Sequence, residues 1–176
     1  MTQFEKYTFS GLFSDIRSDL QRNSKSFHES LFRLLFNPSI RVLLYYRLSH
    51  WLYKKKFHKS SYIINSWQNK YGCYISRKSE LGKHVRLVHP IGIVIGDGVV
   101  IEDDVAIWQN CTLGSHGKDN TSQSYPYVES GVRIYAGAVV VGGVRIGKNS
   151  VIGANSVVLS DVPENSLAVG VPYKRK

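Results

Sequence analysis

The sequence predicts a mainly β protein, a parallel β-helix of short strands preceded by an α-helical segment, and two patterns carry that expectation. From about Ile75 to Val158 an aliphatic residue recurs every six positions with two interruptions, at Ile75, Leu81, Leu87, Ile95, Ile101, Ile107 and Leu113, then at Val128, Ile134, Val140, Ile146, Ile152 and Val158. A small or apolar residue follows four places later, among them Val85, Ile91, Val105, Cys111, Gly117, Ala138, Val144, Ser150 and Ser156, as the narrow inner corners of a prism require. A unit this short buries its aliphatic face only by stacking on neighbouring coils, which a solenoid does and a hairpin or βαβ unit does not. Before residue 73 the six-residue period is lost and apolar residues fall at helical spacing instead.

Residues 1–72 are therefore read as the helical segment and 73–176 as the β-helix. Helices are expected over 12–22, carried by Leu12, Phe13, Ile16 and Leu20, and over 27–36, carried by Phe27, Leu31, Leu34 and Leu35. Asn37-Pro38 ends the second of these, because the residue before a proline is driven out of the helical region. One long amphipathic helix should follow, with Ser39 as N-cap and Ile40, Leu43, Leu44, Leu48, Trp51 and Leu52 on its apolar side, and a last one from Ser61 to about Tyr71.

Charge is distributed unevenly. Of the formal net charge of +10, residues 1–72 hold +8, with twelve Lys/Arg against four Asp/Glu, and the rest of the chain +2. The run Arg41–Lys59 mixes its basic residues with Tyr45, Tyr46, Trp51, Tyr53 and Phe57. Two readings are open: a helix packed on the β-helix with its charges solvated, or a peripheral contact with an anionic membrane surface. No nucleic-acid-binding motif accompanies the charge, so nucleic acid is not an expected partner. Cys73 and Cys111 are too few for a disulfide framework, and Cys111 on an inner corner reads as a buried structural thiol. With no leader-like segment and no apolar run of spanning length, cytoplasmic residence is the expectation.

Interruptions of a solenoid map to one face, often the binding face. Leu87 and Ile95 are eight residues apart instead of six, with His89 between them. Leu113 and Val128 are separated by an insertion of nine residues beyond one unit, running from Gly114 to Tyr127 and holding His116. An imidazole titrates near neutral pH, so a histidine suits the removal of a proton from a hydroxyl and its return to a leaving group. Asp103 and Asp104 do not form an acid–base pair, because neighbours on a strand and its corner point apart. Trp108 and Tyr135 follow inward aliphatic residues and should face outward, to stack on a ligand or to pack against another subunit.

His89-Pro-Ile-Gly-Ile-Val-Ile-Gly, Val100-Ile-Glu-Asp-Asp-Val, Thr112-Leu-Gly, Ile152-Gly-Ala-Asn-Ser-Val-Val-Leu and Ala168-Val-Gly-Val-Pro together resemble the serine acetyltransferase branch of the hexapeptide-repeat acyltransferases, over roughly residues 74–173. The resemblance implies a left-handed β-helix, acetyl-CoA as co-substrate with no metal, and a homotrimer whose active sites lie between subunits. It makes His89 the general base and gives the acetyl-CoA contacts to Gly114, Ser115, Gly117, Lys118, Ala136 and Ala154. His116, where the family carries Thr, becomes a second acid/base or a further acetyl-CoA contact. Three positions depart from the family: Val88 and Tyr74 stand where it has Asp, and Tyr125 where it has His. On those departures the chain is expected to be closest to the polysaccharide-biosynthesis O-acetyltransferases of this branch. It would acetylate a sugar hydroxyl of a surface polysaccharide, with Trp108 and Tyr125 against the acceptor. A serine O-acetyltransferase of cysteine biosynthesis and a non-catalytic β-helix scaffold are the alternatives.

Overall fold

Asn37-Pro38 organises the start of the chain as its chemistry requires: Asn37 stays extended, Pro38 occupies the first helical position, and the Asn37 side chain accepts hydrogen bonds from the Ser39 and Ile40 amides at 2.9 and 3.4 Å. The N-cap is thus Asn37 and not Ser39, whose own amide is one of the groups being capped. The computed structural model describes residues 8–21, 27–117 and 124–175. The helices are α1 (Phe9–Gln21), α2 (Phe27–Phe36), α3 (Pro38–Lys54) and α4 (His58–Ser66), and α4 runs into a 3₁₀ turn, Trp67–Tyr71.

The expected long helix is α3, which contains every residue that carried the expectation but is less one-sided. Helix α3 stops at Lys54, and Lys56 adopts a left-handed φ of 64° to reverse the chain into α4. Its buried residues, Ile40, Val42, Leu43, Tyr46, Arg47 and Ser49, lie on several sides. Helices α1 and α4 and the first coil all pack on it, so the apolar residues are not confined to one stripe.

Fifteen short strands follow among the described residues. They form three sheets, one for each face of a prism. Ile75, Ile95, Leu113, Val140 and Val158 stack in register on the first face, Leu81, Ile101, Val128 and Ile146 on the second, and Leu87, Ile107, Ile134, Ile152 and Ala168 on the third. All these pairings are parallel; only the final strand, Lys174–Arg175, pairs antiparallel. The stacked aliphatic residues are all buried. Of the expected inner corners, Ile91 and Gly117 are exposed and the other seven are buried; the two-residue insertion ahead of Ile91 moves that corner to the buried Ile93, the register partner of Cys111, and Gly117 falls in the second insertion.

The helical segment closes the open end of the prism through buried polar contacts. The Tyr46 hydroxyl donates to the Ser79 carbonyl at 2.8 Å and accepts from the Leu81 amide at 3.1 Å, and burial pushes its pKa up. Arg47 pairs with Asp19 at 3.0 Å and donates to the carbonyls of Leu81 and Gly82 at 2.7 and 2.6 Å. Gln68 donates to the Ile75 carbonyl at 2.8 Å and accepts from the Ile75 amide at 2.9 Å, taking the place of a neighbouring strand on the first coil's bare edge.

Tyr46→Phe leaves a buried amide and a buried carbonyl without their partner. It is expected to lower unfolding free energy by about 1–3 kcal/mol, measured by denaturant titration; an unchanged midpoint would show that the clamp does not hold the cap.

Candidate active site

The corner between the third and first faces carries the first interruption, and the hydrogen-bond register identifies the inserted residues. Val88 pairs upward with the Trp108 position and Ile91 with Gln109, for the Val88 amide donates to Ile107 and the Asn110 amide to Ile91. The extra residues are therefore His89 and Pro90, which bulge out of the coil. The Ile91 amide donates to the His89 carbonyl at 2.8 Å and closes the bulge. From below, the Cys73 thiol donates to the Pro90 carbonyl at 2.8 Å; burial raises the pKa of this thiol and keeps it a neutral donor. The bulge leaves His89 exposed. Among the described residues its imidazole has no hydrogen-bond partner: Val88 offers none, and Tyr74 lies at the outer start of the first face, 46% exposed.

Above the bulge the corner continues as a column of small groups. Gln109, Ala136 and Ala154 occupy equivalent places, since the Gly137 amide donates to Gln109 and the Asn155 amide to Ala136. The sequence-predicted Ala136 and Ala154 thus stand in one column beginning beside His89. Gln109 was not foreseen, although its place in the six-residue register is that of the two alanines. Its side-chain oxygen is buried and has no hydrogen-bond partner. Trp108 sits one place earlier and stacks on Tyr135 with ring centroids 4.4 Å apart, while the Arg86 guanidinium lies 5.6 Å from the Trp108 ring centre. The outward placement of both aromatics is as expected, and Arg86 is an addition. A cavity of about 200 Å³ opens beside Val88, lined by Asp19, Arg33, Asn37, Ser39 and Arg86 among others.

The second interruption leaves from the opposite corner, between the first and second faces. The Gly117 amide donates to the Ser115 hydroxyl at 3.2 Å, and Gly114 has open space where a Cβ would stand. His116 rests on Gly142: a Cβ there would lie 2.3 Å from the His116 Nε2 atom, and Gly142 has a φ of +93° that glycine tolerates best. Lys118 lies outside the described residues. Tyr125 does not reach toward His89 in this chain. Its ring packs on Gly96 and Gly98, where a Cβ at Gly98 would come within 2.4 Å of it, so it seals the root of the loop.

Within one chain the candidate residues fall into two separate groups. His89, Trp108, Gln109, Ala136 and Ala154 occupy one edge of the first face; Gly114, Ser115, His116, Gly117 and Tyr125 occupy the other. A two- or three-residue strand and its flanking residues lie between the corners, on the order of 13 Å for about four extended residues at the usual rise. The outward residues of that face, Tyr74, Val94, Thr112, Val139 and Val157, are nearly all apolar. The matching row on the second face is Glu80, Val100, Tyr127 and Arg145. Asp103 and Asp104 stand at the remaining corner, exposed, with Asp103 accepting from the Lys83 amide at 2.6 Å. Cys111 is buried, its thiol 3.1 Å from the Tyr135 carbonyl. No group of three or more His, Cys, Asp or Glu side chains placed to hold a metal ion occurs among the described residues.

Comparison with known proteins matches residues 125–160 to the bacterial transferase hexapeptide family. A serine acetyltransferase of Buchnera aphidicola is 37% identical over 164 residues, which cover 93% of this chain and 60% of that protein. The chain thus spans less than two thirds of the length of that curated relative. The crystal structure of Neisseria gonorrhoeae serine acetyltransferase superposes with a TM-score of 0.86 at 30% identity, covering 98% of this chain and 70% of that one. A serine acetyltransferase from Brucella abortus in complex with coenzyme A gives 0.81 at 33%, covering 93% and 65%. The fold is the left-handed β-helix that the resemblance implied. The expected sugar acceptor and the placement among polysaccharide O-acetyltransferases are overturned, because these matches, which run through the helical segment as well as the coils, are to serine acetyltransferases.

Gly142→Ala is expected to displace the His116 ring and to cost about 1 kcal/mol through the positive φ, read from the His116 imidazole signals by NMR and from thermal unfolding. Unmoved ring signals would show that His116 is not seated there.

Proposed function

The chain belongs to the serine acetyltransferase family of hexapeptide-repeat acyltransferases, and on that premise we propose that it transfers the acetyl group of acetyl-CoA to the hydroxyl of L-serine. The observation that carries the reading is His89, lifted out of the coil at the head of a small-residue column, in a chain matched almost end to end by serine acetyltransferases.

The residues assign themselves roles. His89 accepts the proton of the acceptor hydroxyl as its oxygen bonds to the thioester carbonyl carbon. The tetrahedral adduct collapses with cleavage of the C–S bond, and the His89 imidazolium returns the proton to the departing thiolate. Ala136 and Ala154 leave room for the pantetheine arm of acetyl-CoA along the corner, and the unpaired oxygen of Gln109 supplies an acceptor for one of its amide N–H groups. The Brucella relative, solved with coenzyme A, supports this co-substrate. The cavity beside Val88 suits the acceptor: Asp19 there is already paired with Arg47, which leaves Arg33 and Arg86 to meet a carboxylate.

The apolar first face supports assembly as a homotrimer. Three copies meeting through Val94, Val139 and Val157 would bring the His89 edge of one chain to the His116 edge of the next. The charged replacement Val139→Glu is expected to give a smaller species by light scattering, with acetyl transfer lost together with assembly; a full-rate monomer would contradict the shared site.

Incubation with acetyl-CoA and L-serine, followed by thiol release, tests the function directly. Release that requires serine is expected, and its absence would overturn the proposal. His89→Ala should lower kcat at least about a hundredfold without changing oligomer size. Val88→Asp restores the carboxylate that the family carries beside its base and should raise kcat, about tenfold or more; an unchanged rate would show that His89 is oriented by other means.

A further inference from the structure

Between Glu29 and Glu80 the chain has no Asp or Glu, yet it carries ten Lys and Arg residues. The structure sorts this stretch into two parts. Helix α3 faces inward: Val42, Leu43, Tyr46 and Arg47 are buried against the first coil and α1. The reversal after Lys54 and the outer side of α4 face outward. Lys55, Lys56, Phe57 and Lys59 are exposed, followed by Tyr62, Ile63, Trp67 and Lys70. Positions 59, 62, 63, 66, 67 and 70 repeat at helical spacing and so share one face. Phe57 is 60% exposed, Tyr62 66%, Ile63 56% and Trp67 49%, an unusual gathering of large apolar groups beside four lysines.

Tyr62, Trp67 and Lys70 are held in place. Trp67 packs edge-on against Tyr45 at 5.6 Å between centroids, Lys70 lies 5.3 Å from the Tyr45 ring centre, and the Arg77 guanidinium lies over Tyr62 at 5.4 Å. Ser61 and Asn65, on the opposite side of α4, are buried, with the Ser61 hydroxyl donating to the Ser49 carbonyl at 2.7 Å, which fixes the helix with its aromatic side out. Among the described residues no helix is long and apolar enough to cross a membrane.

We propose that this face, Lys55–Lys59 with Tyr62, Ile63, Trp67 and Lys70, docks the protein on an anionic lipid surface. Its composition fits such a surface in both respects. Trp and Tyr settle at the headgroup level while Phe57 and Ile63 reach the acyl boundary, and the lysines meet lipid phosphates with no carboxylate between residues 30 and 79 to oppose them. Flat on the bilayer, α4 lies in the interface and the β-helix projects away from it. The inference stands independently of which acceptor the enzyme uses.

Cosedimentation of the full chain with phosphatidylcholine vesicles, with and without added phosphatidylglycerol, tests it. Binding is expected only when phosphatidylglycerol is present, and it should weaken as salt is raised. The triple variant Lys55→Gln, Lys56→Gln, Lys59→Gln should bind roughly a hundredfold more weakly, at about a tenfold loss or less per charge. Ile63→Asp, which keeps every lysine, should also bind more weakly, and thermal unfolding of both variants should match that of the parent chain. No binding to phosphatidylglycerol vesicles at low salt overturns the proposal, as does a triple variant that binds like the parent. Salt-sensitive binding to duplex DNA with none to vesicles likewise overturns it, since the basic face would then serve a different polyanion.

Discussion

Everything in the β-helix rests on backbone hydrogen bonds between one coil and the next, made in a register that leaves no freedom. Strands of two or three residues hold one inward aliphatic side chain each, and a slip of one position would turn that side chain to solvent. Additional residues are therefore accommodated at the corners, as His89 and Pro90 are at one edge of the first face and 115–117 at the other. Exposure of the candidate base is a consequence of this packing rule. The same register produces the corner column of Gln109, Ala136 and Ala154, because equivalent positions of successive coils must stack.

A stack of coils has two open ends, and the bare strand edges there would template further pairing. The helical segment closes the first end with side chains that imitate a strand. Gln68 pairs with both backbone groups of Ile75, Tyr46 bridges Ser79 and Leu81, and Arg47 takes two carbonyls while Asp19 balances its charge. These contacts use the inward side of α3. They leave the outer side of α4 and the turn before it free of that task, and there the exposed aromatic residues and lysines gather.

The six-residue period made the three faces, their core and the two interruptions legible, because stacking imposes the same residue type at every turn. What depended on contacts between elements was not legible. Ser39 looked like the cap until the fixed φ of Pro38 gave that position to Asn37. Tyr125 was read only as an acceptor contact, and its packing on Gly96 and Gly98 could not be seen without the fold. Gln109 resembles an ordinary turn residue until its unpaired buried oxygen is seen beside the alanine column. The acceptor was misread for a related reason. Val88, Tyr74 and Tyr125 were weighed as single replacements, whereas the likeness to serine acetyltransferases extends through the helical segment, whose residues line the cavity beside Val88 and whose motifs are too diffuse to read locally.

The proposed function requires the two edges of the first face to meet, and within one chain a strand separates them. Mixing subunits measures this directly: a His89→Ala chain and a chain with residues 114–117 replaced are each expected to be inactive alone. Co-assembled, they should recover part of the acetyl transfer from acetyl-CoA to serine, because some interfaces then pair an intact His89 with an intact loop. Mixed assemblies as inactive as their parents would contradict a site shared between subunits.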